Sequence, residues 1–151
     1  MQNILVIFEA TQESTEGLAL ALGLGAVREG ANIRLRHLNP SPAAKLAHQS
    51  YGRLKVDDLR WAEGVAIILE TGEPAALTEI VQNLDQFSEN DEPVSRVVYV
   101  FGENADKQSV RDLREKLQSA GLRLIQEETT ASTASLPFMT KIGQRLAEKK
   151  P

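Results

Sequence analysis

The length, composition and charge of this chain exclude several classes of protein before any motif is considered. Its 151 residues suit one domain with a full core, so we expect a single domain over residues 1–151. A net charge of -4 provides no basic surface for nucleic acid or for an anionic membrane. The sequence has no cysteine, which excludes disulfides, thiolate metal sites and dithiol redox chemistry. Any redox chemistry therefore requires a bound cofactor.

The amino-terminal segment predicts neither export nor a membrane anchor. Its sequence, MQNILVIFE, lacks the basic segment and the long apolar core of a signal peptide. No apolar run in the chain approaches the ~20 residues that span a bilayer. We therefore expect a cytoplasmic protein whose partners include neither a membrane nor a nucleic acid.

The first predicted elements are a buried strand and a helix. Residues 4–8 form the continuous apolar run ILVIF, which is typical of a strand covered on both faces. Apolar residues then recur at helical spacing over residues 14–28. Gly30 follows at the position of a left-handed cap, so we expect the helix to end just before it.

The next strand leads into the least patterned part of the chain. Residues 32–38 alternate with period two and are followed by Pro40, as expected of a strand at the edge of a sheet. Residues 39–60 form the crossover to the next strand. One short helix is predicted within the crossover, at 43–48. Another is predicted at its end, at 57–62.

The second half of the chain repeats the pattern of a strand followed by a helix. The three predicted strands are short apolar runs at 65–69, 96–101 and 122–125. Helical spacing of apolar residues follows each of them. Pro74 lies near the first turn of one helix, Gly121 caps the next, and Pro137 opens the last.

This alternation of five strands with helices predicts an α/β fold. It implies right-handed crossovers and a parallel sheet with helices on both faces. Ligands of such sheets bind outside the carboxyl ends of the strands. Function is therefore expected in the loops after the first, third and fourth strands, at residues 9–15, 70–74 and 102–107.

The loop after the first strand decides between the nucleotide-binding classes. It contains no glycine before residue 17, which excludes a Rossmann dinucleotide site, and it lacks the Gly-Lys-Ser/Thr of a P-loop. Residues 10–16, ATQESTE, instead form a hydroxyl-rich segment that enters a helix. Hydroxyl groups and free amides at a helix N-terminus can hold a phosphate monoester.

This loop and two further motifs resemble the flavodoxin family. The apolar residues 6–8, then Thr15, then Ala19 and Leu22 keep the spacing of the flavodoxin signature. Residues 59–64, LRWAEG, look like the entry to the third strand in NAD(P)H:quinone oxidoreductases of the tryptophan-repressor-binding-protein type. Leu84-Asp85, late in the third helix, fits the same register. The resemblance covers most of the chain, from the first strand to the fifth.

The resemblance implies a three-layer flavodoxin-like sheet with strand order 2-1-3-4-5 and flavin mononucleotide (FMN) as the cofactor. It further implies electron transfer or NAD(P)H:quinone reduction, a small-molecule ligand or redox partner, and self-association into a homo-oligomer. Transferred position by position, the phosphate loop and the loops near the flavin ring contribute these site residues: Thr11, Gln12, Ser14, Thr15, Thr71, Gly72, Gly102 and Asn104.

The loops also depart from the family pattern, which leaves an alternative open. Ala10 stands where the family has serine or threonine, and Glu13 where it has glycine. A carboxylate there would occupy the amides that a phosphate needs, although Glu13 and Glu16 also fit as ordinary first-turn acids worth ~0.3–1 kcal/mol. All three loops are acidic, and the second has no aromatic residue to stack on the ring. The alternative is a flavin-free flavodoxin-like module that binds another small ligand or a protein chain.

A third and less favoured alternative is a receiver-like regulatory domain. Glu70 followed by Pro74 resembles the phosphorylated aspartate and downstream proline of receivers. The acidic pair expected after the first strand is reduced to Glu9, however. Residues 126–128, QEE, replace the lysine expected after the fifth strand.

No catalytic residue and no metal site can be assigned from the sequence. His37 and His48 are the two histidines, and both are predicted to be surface or half-buried residues. Trp61 and Phe101 are predicted to pack in the core or at its rim. No serine stands in a Ser-His-Asp order or in a nucleophile elbow.

Overall fold

A computed structural model describes residues 2–9, 13–38, 51–70, 74–90, 97–102, 107–124 and 136–148. The strands in these segments are β1 (Asn3–Phe8), β2 (Asn32–His37), β3 (Gly52–Arg53), β4 (Gly64–Leu69), β5 (Val97–Gly102) and β6 (Arg123–Leu124). The helices are α1 (Glu13–Arg28), α2 (Val56–Trp61), α3 (Pro74–Asn90), α4 (Lys107–Ser119) and α5 (Leu136–Glu148).

The strands form one parallel sheet in the order β3-β2-β1-β4-β5-β6. The predicted α/β class and the parallel sheet are confirmed, and the predicted five-strand order is contained in the observed one. The predicted number of strands is wrong, because β3 adds a sixth and covers the outer side of β2, which was expected to be the edge. A strand of two residues is too short to show a period in the sequence.

The helix boundaries follow the local signals closely. α1 ends two residues before Gly30, which has a φ of 85°, and Gly121 after α4 has a φ of 92°. Both glycines therefore provide the left-handed backbone that closes a helix. The short helix predicted at 57–62 is α2, whereas the one predicted at 43–48 lies outside the described residues. In the described segments, no helix has both the length and the apolar character needed to cross a bilayer.

The sheet separates two apolar cores. Leu5 and Ile7 of β1 point into the core formed with α2, α3 and α4, whereas Ile4, Val6 and Phe8 point into the core formed with α1 and α5. These five side chains are at most 1% exposed. Continuous burial on both faces is the reason that the strand is apolar at every position.

Two glycines set the close approach of α1 to α5. A Cβ atom added to Gly25 would lie 1.9 Å from the carbonyl oxygen of Thr140, and one added to Gly143 would lie 1.9 Å from that of Leu22. No side chain fits at either position. The contact fixes α1 against α5, and both helices contribute to the same core on one face of the sheet.

Candidate functional site

The carboxyl ends of β1, β4 and β5 lie side by side at one edge of the sheet. Phe8 of β1 is paired with Ile68 of β4, and Leu69 of β4 with Gly102 of β5. Glu9 continues the ladder, since its amide donates to the carbonyl oxygen of Ile68 at 2.8 Å. The loops that follow these strands therefore start from neighbouring points, as predicted from the sequence.

A chain of hydrogen bonds joins the first turn of α1 to this edge. The Thr15 hydroxyl donates to Oε1 of Glu70 at 3.1 Å, and the backbone amide of Glu70 donates to Oε1 of Glu9 at 2.9 Å. Thr15 is 2% exposed, and both glutamates are 6% exposed. We call these three residues the carboxylate bridge.

The position of the bridge explains how buried carboxylates are tolerated. A buried charge is costly unless it is paired and hydrogen-bonded. Here each glutamate accepts a hydrogen bond, and Thr15 belongs to the first turn of α1, where the helix dipole and free amides favour negative charge. The bridge thus uses the anion-stabilising end of α1 for the chain's own carboxylates.

A second buried acid lies next to the bridge in the sequence. Glu16 is 1% exposed, and its Oε2 accepts a 2.5 Å hydrogen bond from the Tyr51 hydroxyl. The Tyr51 ring meets the edge of Phe8 at a centroid distance of 4.9 Å. Burial raises the pKa of the Tyr51 hydroxyl above its usual value, and the hydrogen bond to Glu16 and the charge of Glu16 raise it further. Tyr51 is therefore a neutral donor that remains protonated beyond the ordinary range of tyrosine.

The structure describes three of the predicted site residues. Thr15 lies in the first turn of α1 and is buried, and its hydroxyl donates to Glu70. Ser14 is exposed on the first turn of α1, and Gly102 closes β5 opposite Leu69. The remaining predicted residues lie outside the described segments; they are Thr11, Gln12, Thr71, Gly72 and Asn104. The Glu13 side chain is likewise not among those described.

Sequence reasoning missed the burial of Glu16 and His37. Glu16 fitted the pattern of an ordinary first-turn acid, yet it is buried against Tyr51, which is 35 residues away in the sequence. His37 was expected at or near the surface but is 3% exposed, with its ring 5.1 Å from that of Phe8. Neither contact has a local sequence signal. The predicted packing roles of Trp61 and Phe101 are confirmed, since both belong to the cores.

The described residues do not fit the phosphate of FMN at the first turn of α1. A phosphate monoester carries about -1.5 to -2 charges at pH 7 and needs donors. Thr15, which the family resemblance assigns to this role, donates to Glu70 instead. Glu9 and Glu70 bring negative charge to the same place. Among the described residues, no group of three or more His, Asp or Glu side chains could hold a metal ion.

Comparisons with known proteins give a match in structure but not in sequence. No family model matches the chain, and no curated protein matches it significantly. A flavodoxin from the domain Archaea is 18% identical, with a TM-score of 0.66 over 97% of this chain and 96% of that one. Oxidised flavodoxin 1 from Bacillus cereus is 15% identical, with a TM-score of 0.65 over 99% of both chains.

A third match shows the same fold within a larger protein. The flavodiiron core of Flv1 from Synechocystis is 19% identical, with a TM-score of 0.68 over 97% of this chain and 35% of that one. The finer resemblance to quinone oxidoreductases of the tryptophan-repressor-binding-protein type stays a prediction. At these identities the likeness establishes architecture and not activity. The chain therefore has the flavodoxin-like fold.

Proposed function

We propose that this protein binds a flavin at the carboxyl edge of its sheet and acts in electron transfer. The supporting observation is the end-to-end match with flavodoxins, two of which align over at least 96% of both partners. The loops after β1, β4 and β5 start from the same edge as in a flavodoxin-like sheet, where ligands bind. When bound, a flavin supplies the redox chemistry that a chain without cysteine cannot supply by itself.

The contributions of the chain's own residues follow from the described geometry. The Thr15–Glu70 hydrogen bond joins the first turn of α1 to the residue that follows β4 at this edge. The rings of Tyr51 and His37 pack against Phe8 at the end of β1, and the Tyr51 hydroxyl donates to Glu16. Glu9, Glu16 and Glu70 make this part of the edge negative. A ligand at the edge therefore meets a surface that disfavours anions.

The test of this proposal is flavin binding by the purified protein. The protein is incubated with excess riboflavin or FMN and desalted, and the retained flavin is measured by absorbance and by quenching of flavin fluorescence. We expect retention of at least one of the two flavins. Retention of neither flavin by folded protein would contradict the proposal.

A finer proposal is reduction of quinones with NAD(P)H. Its support is the resemblance of residues 59–64 to the quinone oxidoreductase motif. Trp61 lies within this motif. In the structure the Arg34 guanidinium lies over the Trp61 ring, 4.3 Å from the ring centroid, which is a structural role. We expect flavin-loaded protein to consume NADH or NADPH when benzoquinone is added. If the quinone is reduced no faster than by free flavin, the proposal of quinone reduction is contradicted. The proposal of electron transfer then still stands.

The second candidate function is a flavin-free binding module. The carboxylate bridge favours it, because the bridge places acids where a flavin phosphate would bind. The same reconstitution separates the two candidates. Failure to retain either flavin, together with an unchanged melting temperature in their presence, favours the flavin-free module.

A further inference from the structure

We propose that Glu70 closes the first turn of α1 to phosphate, so that the flavin this site accepts is one without a phosphate group. The inference rests on the proposed function for the choice of ligand. It predicts that riboflavin binds at least as tightly as FMN, which has the same ring and ribityl chain and differs only by the phosphate. It also predicts that removal of the Glu70 carboxylate opens the turn to phosphate.

The first step of the argument is the hydrogen bond between Thr15 and Glu70. Thr15 is the third residue of α1, and its hydroxyl donates to Glu70 Oε1 at 3.1 Å. A hydroxyl has one proton to donate. While that proton is used by Glu70, the hydroxyl cannot donate to a phosphate oxygen. Both residues are buried, so water does not readily replace either partner.

The second step is the charge at the turn. Glu70 comes directly after β4, and its amide donates to the Glu9 carboxylate at 2.9 Å. That bond ties the residue after β4 to the residue after β1. Two anions within a few ångströms repel strongly where water is excluded. A phosphate that entered this turn would have to displace the Glu70 carboxylate or remain beside it.

The third step identifies Glu70 as the residue to change. Glu9 accepts the backbone amide of Glu70, whereas the Glu70 carboxylate itself accepts the Thr15 hydroxyl. Glu70→Ala therefore releases the Thr15 donor and removes a charge in one change. Glu70→Gln removes the charge and keeps the shape, and Glu70→Ala also vacates the space.

The experiment measures dissociation constants for riboflavin and FMN with wild type, Glu70→Gln and Glu70→Ala. Glu29→Gln is the matched control, because it removes one exposed carboxylate at the far end of α1, roughly 20 Å away along the helix. Circular dichroism confirms that each variant is folded. Flavin fluorescence provides the binding signal and needs no enzymatic activity.

The expected result is a change of preference. Wild type and Glu29→Gln bind riboflavin at least as tightly as FMN. Glu70→Ala binds FMN at least about tenfold more tightly than wild type does, a difference of about 1.4 kcal/mol, with Glu70→Gln in between. Riboflavin affinity changes much less. Adding Thr15→Val to Glu70→Ala reverses most of the gain, because the released hydroxyl is the new donor.

The outcomes separate this inference from the proposed function. If wild type binds FMN more tightly than riboflavin, the inference is overturned while flavin binding stands. If wild type binds neither flavin but a Glu70 variant binds FMN, the closure of the turn to phosphate by Glu70 is supported, whereas riboflavin as the ligand and the proposed function both fail. If every folded variant rejects both flavins, both are overturned.

Discussion

The Tyr51 hydroxyl donates to a carboxylate that has almost no contact with water. Glu16 is 1% exposed, and the 2.5 Å hydrogen bond that the Tyr51 hydroxyl donates stabilises the buried Glu16 side chain. At the scale of single residues, such donors make the acids at the first turn of α1 compatible with a stable core. A buried acceptor that loses a donor costs about 1–3 kcal/mol.

Tyr51→Phe tests this contribution at neutral pH. The substitution keeps the ring against Phe8 and removes only the hydroxyl. We expect the free energy of unfolding, measured with urea at pH 7, to fall by about 1–3 kcal/mol. A loss below about 0.3 kcal/mol would contradict a structural role for this hydrogen bond.

The same variant has a pH dependence with a definite sign. The pKa of Tyr51 is raised in the folded protein, first by burial and then by Glu16, above its ordinary value of about 10. Stability from such a group is present below the unfolded pKa and is lost as pH rises above it. The difference between wild type and Tyr51→Phe should therefore shrink above about pH 10. A constant difference from pH 8 to about 11 would refute this linkage.

At the scale of elements, the packing of α1 on α5 depends on glycine at two positions. Gly25→Ala and Gly143→Ala should each lower the free energy of unfolding by about 1–3 kcal/mol or more. The added Cβ atoms would meet backbone oxygens of the facing helix, and these oxygens can move only if the whole helix shifts. Gly17→Ala is the control on α1. Its Cβ would make an ordinary 3.7 Å contact with Leu136, so we expect a gain of about 0.5–1 kcal/mol. Equal effects in thermal melts of all three variants would contradict this account.

A buried aspartate joins α2 to β2. Asp58 accepts from Arg34 Nη1 at 3.3 Å and from Arg36 Nε at 3.1 Å, and it also accepts the Lys55 amide at 3.0 Å. Its side chain is 5% exposed, whereas the neighbouring Asp57 side chain is 79% exposed. The two adjacent aspartates therefore form a matched pair for substitution.

Asp58→Ala should lower the free energy of unfolding by about 1.5–3 kcal/mol, because it removes the shared acceptor of two partly buried guanidinium groups. Asp57→Ala, which breaks only an exposed pair with Arg60, should cost less than about 1 kcal/mol. Urea unfolding of both variants under one buffer condition decides the comparison. Similar losses would mean that the Asp58 network contributes little.

At the scale of the whole molecule, the two cores share the same central strands. β1 and β4 contribute side chains to both faces, so neither core can be lost without disrupting the sheet. We expect one cooperative unfolding transition, with a urea m-value of about 1–3 kcal/mol/M. Fluorescence of Trp61 reports on one face, and far-ultraviolet circular dichroism reports on all helices. Midpoints that differ between the two probes would show that the faces unfold separately.

The α/β class, the parallel sheet and most helix boundaries could be predicted because their signals are local. Continuous apolar runs mark strands covered on both faces. The cap positions after α1 and α4 require a left-handed backbone, which glycines such as Gly30 and Gly121 adopt readily. β3 could not be predicted, since two residues carry no period and only the pairing with Arg36 and His37 makes them a strand.

The sequence by itself determined which loops meet at the carboxyl edge of the sheet, because alternating strands and helices bring the same loops together in any parallel doubly wound sheet. Only the tertiary structure decided what occupies that edge. The Thr15–Glu70 and Glu70–Glu9 bonds join residues 55 and 61 positions apart, and the Tyr51–Glu16 bond joins residues 35 apart. A side chain's partner at such separations depends on how the elements pack, and no local pattern encodes it. For that reason the spacing of Thr15 led only to a predicted phosphate contact, while its bond to Glu70 became visible only in the folded chain.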